Sequence, residues 1–229
     1  MSSANNNEVL EMPNYSLIEA ARYFHVPLST VEYWTKKPDP VVRLASEHPK
    51  MLSFKNLVEF YVLEGLRHIH GLRLHAIREA IEDLLQHEES RHPLAEYDLR
   101  TLDGQYLIFV KNGAIVNSTL RGQYEIPEWT TPYLKRVERD PYGVAQKIFP
   151  FTRKSQIKTD AEPPRTVVID PNICFGLPVL SGSRITTGFL ASRYRGGDSV
   201  SAIARSYGRP LAEIQEAIEW ETGRKIKAA

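Results

Sequence analysis

Apolar residues recur at helical spacing in the first and last thirds of the chain and gather into short runs between them. In YSLIEAARYFHVPLSTVEYW, Leu17, Ala20, Ala21 and Phe24 share one helical face, and Ser16 with Glu19 three residues on predicts a capping box. His25-Val26-Pro27 ends that helix, because proline disfavours helical geometry in the residue before it. Ser29, with Glu32 three positions on, predicts the cap of a second helix that turns Val31 and Trp34 inward. Two short helices about a tight turn at Val26 predict a helix-turn-helix, its second helix presenting Ser29, Thr30, Tyr33 and Lys37 outward. The short apolar runs Val41–Leu44 and Met51–Phe54 predict a two-stranded wing. Ser53 then caps a helix through Leu57, Phe60, Tyr61 and Leu63 that ends at Gly71, and Leu74, Ile77, Ile81 and Leu84 continue as another to about His87.

The pattern changes after His92-Pro93, which breaks the helix. YLIFV and AIVN flank Asn112-Gly113, a hairpin signal because both residues tolerate positive φ. Asp103-Gly104 and Arg121-Gly122 mark further turns, so a sheet of two to four strands is expected. Ile126-Pro127 marks another turn, and PYLKRVERD a short helix or strand. Segment 152–165 is polar and proline-bearing and reads as a linker. Then VVIDPNICFGLPVLSGSR runs from an apolar strand into a glycine-bearing loop. Thr186 or Thr187 caps a helix ending at Gly196-Gly197, and Asp198 or Ser199 caps one through Val200, Ile203, Ala204 and Tyr207. After a turn at Gly208-Arg209-Pro210, Leu211, Ile214, Ala217, Ile218 and Trp220 line a last helix, giving a second helix-turn-helix. The expected fold class is α+β, mainly α. Its domains are a winged helix-turn-helix over 13–90, a small antiparallel sheet region over 91–151, the linker 152–165 and a helical domain over 166–229.

Composition adds limits. The 229 residues carry a formal net charge of +1, so bulk charge selects neither nucleic acid nor membrane. The start, MSSANNNEV, has no apolar leader, no run is long enough to span a bilayer, and the single cysteine forms no internal disulfide. A cytoplasmic, soluble protein is expected. Locally, Lys36, Lys37, Arg43, Lys50 and Lys55 outnumber Asp39 and Glu47 across the wing, which suits a DNA backbone. Glu32, Glu47, Glu59 and Glu64, read as outward, favour instead a protein-docking role for the same module. Seven basic residues between Lys135 and Lys158, against Glu138 and Asp140, flank nucleic acid or form a solvated surface.

Catalytic patterns fail on inspection. Gly176 and Gly182 are five residues apart and are followed by Ser183-Arg184 where a phosphate-binding loop needs lysine; Pro178 also removes an N–H from any cradle. No histidine follows residue 92 to activate Cys174, which is expected to be a buried small apolar residue. The seven histidines lack the i, i+4 pairing of a helical zinc site. No enzyme, metal or cofactor is expected. Arg184 either pins its loop through Asp170 or offers its guanidinium to a partner.

The order of the first module, YSLIEAARYFHVPLSTVEYW, a wing, then LSFKNLVEFYVLEGLRHIHGLRLHAIREAIEDLL, resembles MerR-type transcription regulators. It lacks their long dimerisation helix and cysteine-rich effector site, so no sensing function carries over. VVIDPNICFGLPVLSGSRITTGFLASRYRGGDSVSAIARSYGRPLAEIQEAIEW resembles domain-of-unknown-function family 433, with Ser183 where that pattern usually has threonine and Thr186 where it usually has proline. The two together look like the longer VapB-type antitoxins. That resemblance implies a non-enzymatic antitoxin and autorepressor: a homodimer on operator DNA, with a PIN-type ribonuclease toxin as partner. The implied DNA contacts are Ser29, Thr30, Tyr33, Lys36, Lys37 and Arg43. Such nucleases hold Mg²⁺ with clustered carboxylates, so Arg184, Arg224, Lys225 and Lys227 are the basic side chains implied for the toxin. The alternative is a DNA-binding regulator with no toxin partner.

Overall fold

The computed structural model describes residues 8–36, 38–68, 72–86, 88–102, 106–111, 114–118, 134–141, 143–152 and 164–226. The fold is α+β, mainly α, as expected. The chain divides into two compact units, Met1–Ala21 with Val26–Gln146, and Arg22–His25 with Lys147–Ala229.

The first unit is built on a central helix. A short strand β1 (Tyr15–Ser16) leads into α1 (Leu17–Tyr23), a turn, and α2 (Leu28–Trp34). The capping box forms as expected: the Ser16 amide donates to Glu19 Oε2 at 2.8 Å and the Glu19 amide to Ser16 Oγ at 3.2 Å. Ser29, by contrast, caps nothing. The Pro27 carbonyl accepts from the Thr30 and Val31 amides at 2.9 and 3.3 Å, so α2 begins at Leu28 and Ser29 lies in its first turn.

The wing is also shifted from its expected place. Its strands are β2 (Ser46–Glu47) and β3 (Lys50–Leu52), in a sheet of order β1-β3-β2 with Tyr15 opposite Leu52 and Glu47 opposite Lys50. Val41–Leu44 is not a strand. The Val41 and Val42 amides donate to the Trp34 carbonyl at 2.8 and 3.1 Å, and Val41, Val42 and Leu44 are buried, so this run serves the core instead of a ladder.

Helix α3 (Phe54–His68) is buried at every position from 54 to 66. Ser53 caps it reciprocally with Asn56, whose amide donates to Ser53 Oγ at 3.2 Å while its Oδ1 accepts from the Ser53 amide at 3.0 Å. Trp34 packs against Phe60, ring centroids 5.6 Å apart, and is core as its spacing predicts. A helix covered all round takes its charges inside. Lys55, Glu59 and Glu64 are therefore buried, which corrects their reading as surface charges. Helix α4 (Leu74–Leu85) follows, and Pro93 opens a four-residue helix α5 (Pro93–Glu96) after the break at His92.

Three strands then form an antiparallel meander: β4 (Asp98–Leu102), β5 (Tyr106–Lys111) and β6 (Ala114–Ser118). Lys111 faces Ala114, the register expected for a hairpin closed by residues 112 and 113. Asn112, Gly113, Asp103 and Gly104 themselves, with Gly71, Arg121, Gly122 and 126–129, lie outside the described residues. A 3₁₀ turn (Leu134–Arg136) leads to the paired strands β7 (Val137–Arg139) and β8 (Ala145–Ile148).

In the second unit, Ile148 bridges to Ile169, and β9 (Val167–Val168) pairs antiparallel with β10 (Val179–Leu180). Residues 153–163 of the expected linker are outside the described residues. Helices α6 (Thr187–Arg195), α7 (Val200–Tyr207) and α8 (Leu211–Thr222) pack around Leu190, Ile203, Ile214, Ile218 and Trp220. Two caps left open by the sequence are settled. Thr186 Oγ1 accepts from the Phe189 amide, and Ser199 Oγ from Ala202, while Asp198 instead takes Arg193 Nε at 2.6 Å. Gly208, at φ 59°, supplies the left-handed residue that ends α7.

Candidate nucleic-acid and partner interfaces

Helix α2 divides cleanly. Val31 and Trp34 face the core; Ser29, Glu32, Tyr33 and Lys36 are exposed, and Thr30 is half-buried. The Arg78 guanidinium stands 5.9 Å from the Tyr33 ring centroid and also reaches Asp39 at 3.5 Å. Arg43 and Lys50 are exposed in the wing segment, while Arg43 is fixed through its backbone, its carbonyl accepting from Asn56 Nδ2 at 2.8 Å. Hydroxyls and a phenol are thus available on α2, with Lys36 just beyond it and Arg43 and Lys50 in the wing segment, the groups that reach phosphates and base edges. Lys37 lies outside the described residues.

Burial removes charge from the balance. Lys55 is not available to a backbone phosphate, because its Nζ bonds Glu11 at 2.8 Å and Glu96 at 3.0 Å. Glu59 and Glu64 equally cease to oppose an anion from the surface. Of the four glutamates read as outward, Glu32 is exposed and Glu47 half-buried.

Behind the wing lies a buried polar network that the sequence reading missed. His92 has no exposed side-chain surface, with Nδ1 2.9 Å from Glu59 Oε2 and Nε2 2.9 Å from Glu11 Oε2. A neutral imidazole has one N–H and can donate to only one of these carboxylates; the imidazolium donates to both. Burial alone would lower the His92 pKa, but Glu59 and Glu11 outweigh it and hold it above its ordinary value. Full burial pushes Glu59 up despite His92 and Asn56. Glu11 is held down: burial opposes this, and the bonds from Lys55 and His92 overcome it. Asn56 ties the network to the wing, since its Nδ2 also meets Glu59 Oε2 at 3.1 Å. The available signal was that apolar residues cover every face of α3, so a charge there had to be buried and paired.

The loop between β9 and β10 brings other predicted residues into view. Asp170 does not pin Arg184; its Oδ1 accepts from the Asn172 amide at 2.9 Å. Arg184 is exposed and makes no ion pair among the described residues, and its carbonyl accepts from Cys174 Sγ at 3.4 Å. Cys174 is half-buried rather than fully buried, packing with Ile173 against Phe149, Val168 and Val179. Cys174, Phe175 and Gly176 have φ of 48°, 57° and 77°. Arg224 and Lys225 are exposed beyond α8, and Lys227 lies outside the described residues.

Residues 167–220 match the family model described as "Protein of unknown function (DUF433)". "Putative antitoxin VapB45" of Mycobacterium tuberculosis strain H37Rv is 27% identical over 239 residues, covering 91% of this chain and 94% of that protein. The chain resembles a VapB-type antitoxin along its length. "Uncharacterized protein Rv2308" of the same strain is 24% identical over 234 residues, covering 93% and 91%. The crystal structure of Rv2018 from M. tuberculosis superposes with a TM-score of 0.62 at 22% identity, covering 90% of this chain and 98% of that one, which shows the fold. No described helix is long and apolar enough to cross a membrane.

Proposed function

We propose that this chain is an antitoxin that also represses its own operator, with the DNA reader in the first unit and the toxin contact in the second. The observation that carries the reading is the full-length similarity to a protein named as an antitoxin. The exposed Ser29, Tyr33, Lys36 and Arg43, with half-buried Thr30, support α2 as the reader. The second helix-turn-helix offers DNA less: α8 carries no basic residue to meet a phosphate, and its Glu213 and Glu219 stay partly exposed. A net charge of +1 gives little non-specific attraction, so operator binding depends on pairing two readers, as a homodimer or on the toxin. The toxin is proposed to be a PIN-type ribonuclease and the compartment the cytoplasm; no catalytic role is assigned to the chain. Co-expression of the tagged full chain with its adjacent gene tests this. A stable complex retaining that gene's nuclease is expected, and recovery of the chain alone would overturn the reading.

A further inference from the structure

The loop Asp170–Leu177 presents an aromatic ring on a frame built to hold it. Phe175 is 88% exposed, although Ile173 and Cys174 beside it pack inward and Gly176 is buried. Its φ of 57° lies in the left-handed region, where a bulky side chain is an outlier. Four bonds fix the turn: Ile173 N–H to Asp170 O at 3.0 Å, Gly176 N–H to Ile173 O at 3.0 Å, Leu177 N–H to Cys174 O at 3.1 Å, and Cys174 Sγ to Arg184 O at 3.4 Å. The last ties Arg184 to the same loop. Leu177, 46% exposed, follows, and the Thr187 N–H bond to the Pro178 carbonyl at 2.9 Å joins this segment to the first turn of α6, where Phe189 is 51% exposed.

Charge completes the picture. Each described acid of the second unit's helical domain has a partner within that unit: Asp170 with Asn172, Asp198 with Arg193, Glu213 with Arg209, Glu216 with Thr152, Glu219 with Gln215, and Glu221 with Thr187 and Arg22. Arg184, Arg195, Arg205, Arg224 and Lys225 are exposed and make no ion pair among the described residues. Among the described residues of this domain, every charged side chain that stands exposed is one of these cations, and the acids are half-buried or buried.

We infer that Phe175 and Arg184 form the anchor of a protein-docking surface whose partner offers an apolar pocket edged by carboxylates. This rests on the antitoxin reading and names the chemistry of the toxin surface that reading requires. An aromatic ring and an arginine are the side chains that dominate binding energy at protein interfaces, and a backbone turn already held by four bonds loses little freedom on docking. Leucine at position 177 favours a protein over a nucleic acid, which gains from stacking on planar groups but not from an aliphatic chain.

The test measures binding of the adjacent gene's product to full-length chain carrying Phe175→Asn, Arg184→Glu, or Lys36→Ala with Arg43→Ala. Asparagine tolerates the left-handed conformation, so Phe175→Asn is expected to keep or raise the thermal midpoint while weakening binding at least tenfold. Arg184→Glu should weaken it similarly, and the Lys36/Arg43 variant should bind as wild type. Wild-type affinity in Phe175→Asn overturns this inference and leaves the antitoxin reading standing. No binding by the wild-type chain overturns both. Loss of RNA or duplex DNA binding in Phe175→Asn, with protein binding intact, also overturns it by assigning the loop to nucleic acid.

Discussion

Replacing His92 by alanine is expected to destabilise the protein by about 3–5 kcal/mol, the range for removing one partner of a buried ion pair. The variant leaves Glu59 buried without its imidazolium and removes the bond to Glu11. For a chain of this size the loss corresponds to a fall in thermal midpoint on the order of 10 °C. The effect carries a pH signature. The folded pKa of His92 is raised, so its contribution is complete below about 6.5, the unfolded value, and is lost as pH rises through the folded value. Glu59, also raised, favours the folded state at low pH in the same direction. Wild-type stability should therefore decline from about pH 6.5 upward; His92→Ala should lose the imidazole's part of that decline and keep the part from Glu59, which rises further once His92 no longer holds it down. Thermal unfolding of both proteins from pH 6 to 9 reads the result; parallel curves would show that His92 does not titrate in this window.

Replacing Lys36 and Arg43 together by alanine is expected to weaken operator binding across all sequences and leave folding intact. Both side chains are exposed, and Arg43 meets the core through its carbonyl, which alanine keeps. If each neutralises one phosphate, the slope of log affinity against log salt should fall by roughly two. Thr30→Ala should instead change preference between operator variants, since a hydroxyl on α2 reads base edges. Anisotropy titrations at several salt concentrations separate the two effects. An unchanged slope in the double variant would remove α2 and the wing from the DNA interface.

Much of this fold was legible from local rules. The Ser16–Glu19 box, the break at His25-Val26-Pro27, the Ser53 cap and the hairpin about residues 112 and 113 each depend on neighbours in sequence. What failed depended on tertiary burial. Val41–Leu44 has the composition of a strand, but its amides reach the Trp34 carbonyl and its side chains fill the core. Ser29 has the spacing of a cap, but the capping position is Pro27, two residues earlier, whose carbonyl starts the helix. Lys55 and Glu59 share a helix face at i, i+4, but their partners Glu11 and His92 are dozens of residues away, and no local rule joins them. The loop at Phe175 was missed for a related reason. Burial is expected there for Cys174 and no role for Phe175; three successive left-handed residues leave Cys174 half-buried and the Phe175 ring exposed.

The central claim is tested most directly by RNA cleavage with the purified product of the adjacent gene, titrated with the full-length chain. Cleavage is expected to fall in proportion to added chain and to stop at equimolar complex, with Arg184→Glu requiring at least tenfold more protein. Cleavage that continues unchanged in excess chain, or an adjacent gene product with no nuclease activity, would contradict it.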